Sequence, residues 1–150
     1  GDKIPDKLFA ATTASRRFGE ALATERQLFL ARLDLAYHTH KPGFDTTKLL
    51  QQIHDQNFSF SYVPGTHFQS SFGHLIGYDA GYYGYQWALA LAHDVLSRFK
   101  KEGLFNTQTA SQWRSLVLSR GGADDPKAML TGFLGRPPSE QAYADFLRGE

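Results

Sequence analysis

Residues 72–87 read FGHLIGYDAGYYGYQW. This stretch carries one histidine, four tyrosines and four glycines within sixteen residues, a composition that ordinary core helices do not have. Because a glycine inside a helix costs roughly 1 kcal/mol relative to alanine, the four glycines indicate a backbone that bends, moves or lies close to a ligand. The tyrosines then supply hydroxyl donors to whatever binds there.

The sequence on both sides of this stretch is patterned for helices. Apolar residues recur at spacings of three and four, and the capping residues Asp45, Asn106 and Asp125 stand at expected helix starts. We expect helices over about 5–14, 17–38, 45–54, 80–101, 106–118 and 125–134, and a last one from Pro137-Pro138-Ser139 onward. The sequence therefore predicts an all-α fold of roughly six or seven helices in a single domain, residues 1–150, in which a Gly/Tyr-rich loop leads into the longest helix.

Two of these helices carry enough apolar residues to define predicted buried faces. They are Phe18, Leu22, Leu28, Phe29, Leu33, Leu35 and Ala36 in the second helix, and Trp87, Leu89, Leu91, Ala92, Val95, Leu96 and Phe99 in the longest one. Residues 58–63 alternate apolar and polar like a strand, but Pro64-Gly65-Thr66 stops the pattern and no partner strand is readable elsewhere. We therefore expect an extended connector there.

The composition excludes several classes of function. The net charge is +1, from 16 basic and 15 acidic residues that are scattered along the chain, so we expect no nucleic-acid partner. No apolar run approaches the roughly 20 residues that cross a bilayer, so we expect no membrane partner. The lack of cysteine excludes disulfides and fits a reducing compartment, so we expect a cytoplasmic location, with the periplasm as the alternative. Gly1 in place of Met indicates that the chain starts at a cut.

The tyrosines are spaced to form a binding surface. If a helix begins near residue 80, Tyr82 and Tyr85 share one face, while Tyr78 lies at or just before the first turn and converges on the same point. Tyr83 then points elsewhere. A phenol with a pKa near about 10 stays protonated at neutral pH, so each hydroxyl can donate to an oxyanion or a peptide carbonyl.

His74 lies in the glycine-rich segment and can add a hydrogen-bond donor or exchange a proton. A packing interpretation stands beside this binding-site interpretation, because tyrosines at helical spacing are often core residues whose hydroxyls reach the surface. The glycines and the histidine favour a site, but from the residues alone both interpretations remain open.

The chain resembles a known family over most of its length. The segments that carry the resemblance are the 72–87 stretch, Ser15-Arg16-Arg17-Phe18, Arg26-Gln27-Leu28, Ala31-Arg32-Leu33-Asp34, His38-Thr39, Pro64-Gly65-Thr66, Arg98-Phe99, Glu102-Gly103, Gly121-Gly122 and Phe133-Leu134-Gly135-Arg136 with Pro138. They are similar to the thimet oligopeptidase family of zinc metallopeptidases, peptidase family M3. The resemblance implies an all-helical peptidase that cleaves short peptides in a deep channel, where zinc activates a water and a glutamate acts as base.

The resemblance also implies roles for individual residues. His74 and Tyr82 match residues that stabilise the transition state, and Tyr78 and Tyr85, with Gly77 and Gly81, match the part of the loop that contacts substrate. The chain departs from the family at one point, because several relatives have two glycines before the first tyrosine and this chain has only Gly77. The family's loop length and its placement of His74 relative to Tyr78 are therefore not carried over to this chain.

The zinc motif of the family, H-E-x-x-H, does not occur in this sequence, since none of the six histidines is followed by glutamate. His38 and His40 are two residues apart and point in different directions on a helix, and His67, near His74, is more simply a surface residue. We therefore expect no metal ligands and no cofactor in this chain, with zinc belonging to the complete family enzyme. In the family the motif lies upstream of the region matched here.

The sequence is thus interpreted as the C-terminal segment of a zinc oligopeptidase, supplying a peptide-binding and oxyanion-stabilising wall and inactive alone. The expected partners are short peptides, with an upstream zinc-bearing half or a second copy of the chain. The first alternative is a stand-alone module that binds peptides or proteins without cleaving them. The second is a structural remnant that packs or self-associates through exposed apolar surface.

Overall fold

The structure, a computed structural model, describes residues 3–16 and 18–149. Within them the fold is all-α, as predicted. The helices are α1 (Asp6–Ser15), α2 (Glu20–Thr39), α3 (Thr46–Asn57), α4 (Gly84–Glu102), α5 (Thr107–Trp113), α6 (Pro126–Leu134) and α7 (Gln141–Arg148). Short 3-10 turns span Phe68–Ser70 and Gly73–Leu75, and a π-helical segment, Arg114–Leu118, continues α5. None of these helices has the length and apolar character needed to cross a bilayer.

The chain divides into two compact units, and the first is Gly1–Gly84. Its core lies between α2 and α3 and is closed by the segment that follows them. The buried residues of this core are Phe29, Leu30, Leu33, Leu50, Ile53, Phe72 and Tyr82. Residues 58–63 form the expected extended connector, without helix or strand. The Gly/Tyr-rich loop thus contributes Phe72 and Tyr82 directly to the core of this unit.

The second unit is Tyr85–Glu150 and contains α5, α6, α7 and nearly all of α4. Its most buried large side chain is Phe133 on α6, whose ring lies 5.8 Å from that of Phe99 and 5.0 Å from that of Trp113. The guanidinium of Arg98 lies over the same ring at 4.5 Å. Each unit therefore has packing of its own, and the assignment of residues 1–150 to a single domain remains a prediction.

The predicted helix caps are present in the structure. The side chains of Asp45, Asn106 and Asp125 accept hydrogen bonds from the backbone N–H groups of the first turns of α3, α5 and α6. Gly135 ends α6 with a φ of +70°, a conformation that favours glycine. Local hydrogen bonding was therefore a sufficient guide to these boundaries.

The start of α2 differs from the prediction. The expected start, Arg17, lies outside the described residues, and the helix begins at Glu20 after Gly19, whose φ is +79°. Phe18 is 93% exposed rather than buried, and Leu22, Leu28 and Leu35 are exposed as well. The reason is that only a narrow stripe of α2 packs into the core of the first unit, and these side chains lie off it.

The start of α4 also differs, by four residues: it begins at Gly84 and not near residue 80. Ala80 has a left-handed backbone with a φ of +54°, and the amides of Gly81 and Gly84 donate to the carbonyls of Tyr78 and Gly81 in tight turns. The buried face of α4 is narrower than predicted, since Trp87, Leu89 and Leu96 are exposed. The packing within the second unit covers only part of the apolar surface of this helix.

Candidate functional site

The Gly/Tyr-rich loop is held by a buried carboxylate on α2. Asp34 is only 1% exposed, and its two oxygens accept hydrogen bonds from the backbone of the loop. The amide of Ala80 donates to Oδ1 at 3.2 Å, and the amide of Tyr82 donates to Oδ2 at 2.9 Å. Bonds from amides to a charged acceptor are stronger than neutral ones, so Asp34 fixes the backbone where α4 would otherwise have begun.

His38 stands one helical turn after Asp34 and contacts both ends of the same loop. Its Nδ1 lies 2.7 Å from the carbonyl oxygen of Asp34 and 3.1 Å from Oδ1 of that residue, and its Nε2 lies 3.3 Å from the carbonyl oxygen of Leu75. Nε2 is also 3.7 Å from Oδ1 of Asp79. The amide of Ala80 also lies 3.3 Å from Nδ1, and a neutral ring could accept a hydrogen bond from it there. The carbonyl and the carboxylate of Asp34 are both closer to Nδ1, and a doubly protonated imidazole donates to Asp34 and Leu75 at once, so this environment favours the cation.

The pKa of His38 is accordingly raised above its ordinary value. The hydrogen bond to the Asp34 carbonyl is the largest cause and outweighs the opposing effect of partial burial. The carboxylate of Asp34, the carbonyl of Leu75 and the carboxylate of Asp79 act in the same direction. His38 therefore retains its proton to a higher pH than a histidine in water.

An open cleft of about 650 Å³ lies beside this loop, within the first unit. Its lining includes Arg26, Phe68, Phe72, His74, Gly77, Tyr78 and Tyr82. The ring of His74 meets the ring of Tyr82 edge to face at 5.0 Å and that of Tyr78 in the same way at 5.9 Å. The structure thus brings His74, Tyr78 and Tyr82 together.

Tyr82 and Tyr78 differ in their surroundings. Tyr82 is 8% exposed and its ring packs on Phe72 at 5.3 Å, while its hydroxyl donates to Oε1 of Gln27 at 3.1 Å. Tyr78 is exposed at the rim of the cleft. Both the packing and the binding interpretation therefore apply to Tyr82, since its ring belongs to the core and also lines the cleft.

Two glycines shape the loop around Tyr78. Gly77 has a φ of +95°, and its amide donates to Oδ1 of Asp79 at 3.0 Å. A Cβ on residue 81 would lie only 3.2 Å from both the ring and the carbonyl oxygen of Tyr78, which is tighter than ordinary contact. Gly77 permits the turn, and Gly81 lets the ring of Tyr78 lie against the backbone.

The predicted shared helical face of Tyr82 and Tyr85 is not present, because α4 starts after Tyr82. Tyr85 lies in the first turn of α4, belongs to the second unit and is exposed. Tyr83 is exposed too and does not line the cleft, as expected. The error followed from treating residues 80–83 as helix, when Asp34 holds their backbone in turns.

The zinc that the family resemblance implies has no matching ligand set among the described residues. In residues 3–16 and 18–149, no group of three or more His, Cys, Asp or Glu side chains is placed to hold a metal ion. His67 contacts Oγ1 of Thr47, and His54 packs against the rings of Phe29 and Phe58. These described residues do not fit a zinc site.

Four residues of the site were not recognised from the sequence. They are Arg26 and Gln27, at the cleft, and Asp34 and His38, behind the loop. All four stand in segments that carry the family resemblance, but no role was assigned to them. The one-turn spacing of Asp34 and His38 does not reveal that a loop more than forty residues later lies against them.

Comparison with known proteins identifies the family. The sequence model of peptidase family M3 matches residues 1–148. The chain is 33% identical to oligopeptidase A of Escherichia coli over 150 residues, which is 97% of this chain. It is 38% identical to a mitochondrial intermediate peptidase of Schizophyllum commune over 120 residues, or 78% of the chain, and 32% identical to that of Rattus norvegicus over 148 residues, or 98%. The chain therefore belongs to peptidase family M3, and the resemblance is confirmed.

The match covers a minor part of each relative. The aligned segment is 22% of the Escherichia coli protein, 16% of the Schizophyllum commune protein and 21% of the Rattus norvegicus protein. The chain thus spans about a fifth of the length of the curated relatives it matches.

Proposed function

We propose that this chain forms the peptide-binding and oxyanion-stabilising wall of an M3 peptidase, with the catalytic zinc supplied by another part of the longer protein. Its substrates in this proposal are short peptides. Within the wall, Tyr82 and His74 stabilise the transition state, and Tyr78, Tyr85 and the backbone around Gly77 and Gly81 contact the peptide.

The observation that carries the proposal is the cleft in which His74, Tyr78 and Tyr82 meet. Peptide hydrolysis passes through a tetrahedral intermediate whose oxygen becomes negatively charged, and fixed donors at that oxygen lower the barrier. Both tyrosines carry hydroxyl donors, and the imidazole between them can donate as well. Arg26, which lies 5.6 Å from the Phe68 ring on the same cleft, adds a positive charge that suits an anionic group.

Tyr82 has a further requirement, because its hydroxyl already donates to Gln27 at 3.1 Å. For Tyr82 to stabilise an oxyanion, the O–H rotates from the amide oxygen of Gln27 to the charged oxygen of the substrate. This exchange replaces a neutral acceptor by a charged one, and hydrogen bonds to charged acceptors are about twice as strong. The donor is therefore held in place before substrate arrives and gains energy in the transition state.

The binding part of the proposal is tested with the chain as it stands. A short peptide and its phosphinic analogue, whose tetrahedral group is anionic, are titrated into the protein by calorimetry. We expect the analogue to bind more tightly than the peptide, and Tyr82→Phe and Tyr78→Phe each to reduce that difference by roughly tenfold, as expected for a lost bond to a charged group.

Tyr83→Phe is the matched control, since it removes a tyrosine hydroxyl from the same segment without altering the lining of the cleft. Its binding of both ligands should equal that of the unmodified chain. The proposal is wrong if neither ligand binds, or if Tyr83→Phe and Tyr82→Phe behave alike.

The catalytic part is tested in the longer peptidase that would contain this segment. Tyr82→Phe is expected to lower kcat by about 10²–10³-fold with a smaller change in KM, because an oxyanion donor acts chiefly in the transition state. Steady-state kinetics with a fluorogenic peptide gives both quantities. An unchanged kcat with a raised KM would assign Tyr82 to ground-state binding instead.

A further inference from the structure

Asp34 and His38 occupy an unusual position relative to the cleft, since neither lines it. Both project from one side of α2 towards residues 75–82. This segment contains Tyr78 and Tyr82, whose rings contact His74 in the cleft. Five contacts link them to this segment. Asp34 accepts from the amides of Ala80 and Tyr82, and His38 lies within reach of the Ala80 amide, the Leu75 carbonyl and the Asp79 carboxylate. The two side chains therefore connect the beginning of the loop to its end.

The conformation that they hold is not one the loop would favour alone. Ala80 has a φ of +54°, which residues with a Cβ rarely adopt, and it is the only non-glycine residue with positive φ in the described part of the chain. Its amide is directed at Oδ1 of Asp34, 3.2 Å away. The hydrogen bonds of Asp34 thus coincide with the most disfavoured backbone of the segment.

We propose that Asp34 and His38 are positioning residues that hold residues 75–82 in the conformation that places Tyr78 and Tyr82 on the cleft. The consequence for peptide binding rests on the proposed function, whereas the effect on the conformation of the loop does not. Asp34 fixes the exit of the loop through two amides, and His38 fixes the entry through the Leu75 carbonyl while donating to Asp34.

The arrangement gives the loop a dependence on pH. The titratable groups that face His38 are Asp34, on its own helix, and Asp79, from the loop. When His38 loses a proton, it can no longer donate to both Asp34 and Leu75, and its attraction to the carboxylates of Asp34 and Asp79 weakens. The loop is therefore held most firmly while His38 is charged, and less firmly as pH rises through the elevated pKa of His38.

The experiment is residue-resolved amide hydrogen exchange on the isotope-labelled chain. Asp34→Asn keeps the shape of the side chain, but one of the two backbone amides, of Ala80 or Tyr82, then faces an NH₂ group in place of an oxygen. We expect the protection factors of the Ala80 and Tyr82 amides to fall by about tenfold or more, as expected for lost bonds to a charged acceptor. Asp45→Asn is the matched control, because it makes the same charge change and asparagine still caps α3; it should leave both amides unchanged.

His38→Gln is the second variant. It tests the inference if Asp34→Asn does not fold, and folding is judged by the protection of the amide of Leu50 in the core. Glutamine offers a donor but does not titrate. After correction for intrinsic exchange, we expect protection of the Tyr82 amide in the unmodified chain to decline as pH rises above 6.5, the ordinary pKa of histidine, and to stay level in His38→Gln. A decline of equal size in both proteins, or unchanged protection in a folded Asp34→Asn, would overturn the inference.

Peptide affinity is measured on the same samples. If Asp34→Asn loosens the loop and weakens binding of the phosphinic peptide by about tenfold, the loop is coupled to the cleft. If the unmodified chain binds no peptide while the exchange differences are present, the proposed function fails and the positioning of the loop stands. If binding is intact in a variant whose loop is loosened, the positioning role for the cleft is refuted.

Discussion

Among the residues that the structure describes, each of the two units contains one buried aspartate, and the two aspartates are held in different ways. Asp34 in the first unit and Asp94 in the second are both 1% exposed. Each joins its helix to a segment more than forty residues later: Asp34 to Ala80 and Tyr82, and Asp94 to Arg136 and Ser139. Each unit thus uses a single carboxylate to fasten a distant piece of backbone.

The partners of the two carboxylates differ in how they titrate. Asp94 makes two bonds to the guanidinium of Arg136, at 2.9 and 2.5 Å, and accepts from the amide of Ser139 at 2.8 Å. Burial alone raises the pKa of Asp94, but the hydrogen bonds from Arg136 and Ser139 outweigh it, and the pKa lies below its ordinary value. Arginine does not lose its proton, whereas His38 does. The partner of Asp94 therefore stays charged as pH rises, whereas the partner of Asp34 does not.

The largest expected effect comes from breaking the pair between Asp94 and Arg136. Arg136→Ala leaves the charge of Asp94 buried without its partner, and we expect it to lower the free energy of unfolding by about 3 kcal/mol. This figure is at the lower end of the range for buried pairs because Arg136 is itself 46% exposed. Urea denaturation measures it.

Arg120→Ala is the control for this change, since Arg120 pairs with Asp124 at 2.5 Å but both side chains are well exposed. We expect it to cost less than about 1 kcal/mol. Equal effects of the two substitutions would show that the burial of Asp94 contributes nothing to the strength of its pair.

A smaller effect distinguishes the two units by pH. The pKa of Asp94 is lowered by folding, so its contribution is present above its ordinary value of 3.8 and is lost as pH falls through the lower folded value. The pKa of His38 is raised, so its contribution is fully present below 6.5 and is lost as pH rises through the higher folded value. We expect mildly alkaline pH to loosen residues 75–82 while amides near Asp94 keep their protection. Loosening of both regions over the same pH range would remove the distinction.

The smallest expected effect concerns the strained backbone of Ala80 in the first unit. Ala80→Gly removes the Cβ that makes a φ of +54° unfavourable, and we expect it to stabilise the chain by roughly 0.5–1 kcal/mol despite the greater freedom of glycine when unfolded. Thermal denaturation measures the change, with Ala23→Gly in α2 as a control that should destabilise by about 1 kcal/mol. A destabilising Ala80→Gly would mean that the left-handed backbone there carries no strain.

The reliability of the sequence-based predictions followed the range of the interactions involved. The caps at Asp45, Asn106 and Asp125 were correct because each aspartate or asparagine bonds to amides two or three residues away. The predicted start of α4 was wrong because the carboxylate that holds Ala80 and Tyr82 in turns belongs to Asp34. This residue lies 46 positions before Ala80 and 48 before Tyr82. The π-helical segment after α5 was not predicted either, and no residue type in Arg114–Leu118 signals it.

The candidate site shows the same division. His74, Tyr78 and Tyr82 were selected from their own residue types and from the family resemblance, and they line one cleft. The partner of the Tyr82 hydroxyl, Gln27, was not selected, because it lies 55 residues earlier. The predicted pairing of Tyr82 with Tyr85 on a helical face was wrong, since it assumed helix where the loop continues.

By itself, the sequence determined the class of the fold, most helix boundaries, the family and the choice of His74, Tyr78 and Tyr82 as cleft residues, because these depend on periodicity, local capping and recurring motifs. The tertiary structure decided where the longest helix begins, which face of α2 is buried and which side chains hold the loop. Those features depend on a carboxylate, an imidazole and an amide meeting across more than forty residues of chain. Such long-range contacts produce no periodic pattern in the sequence.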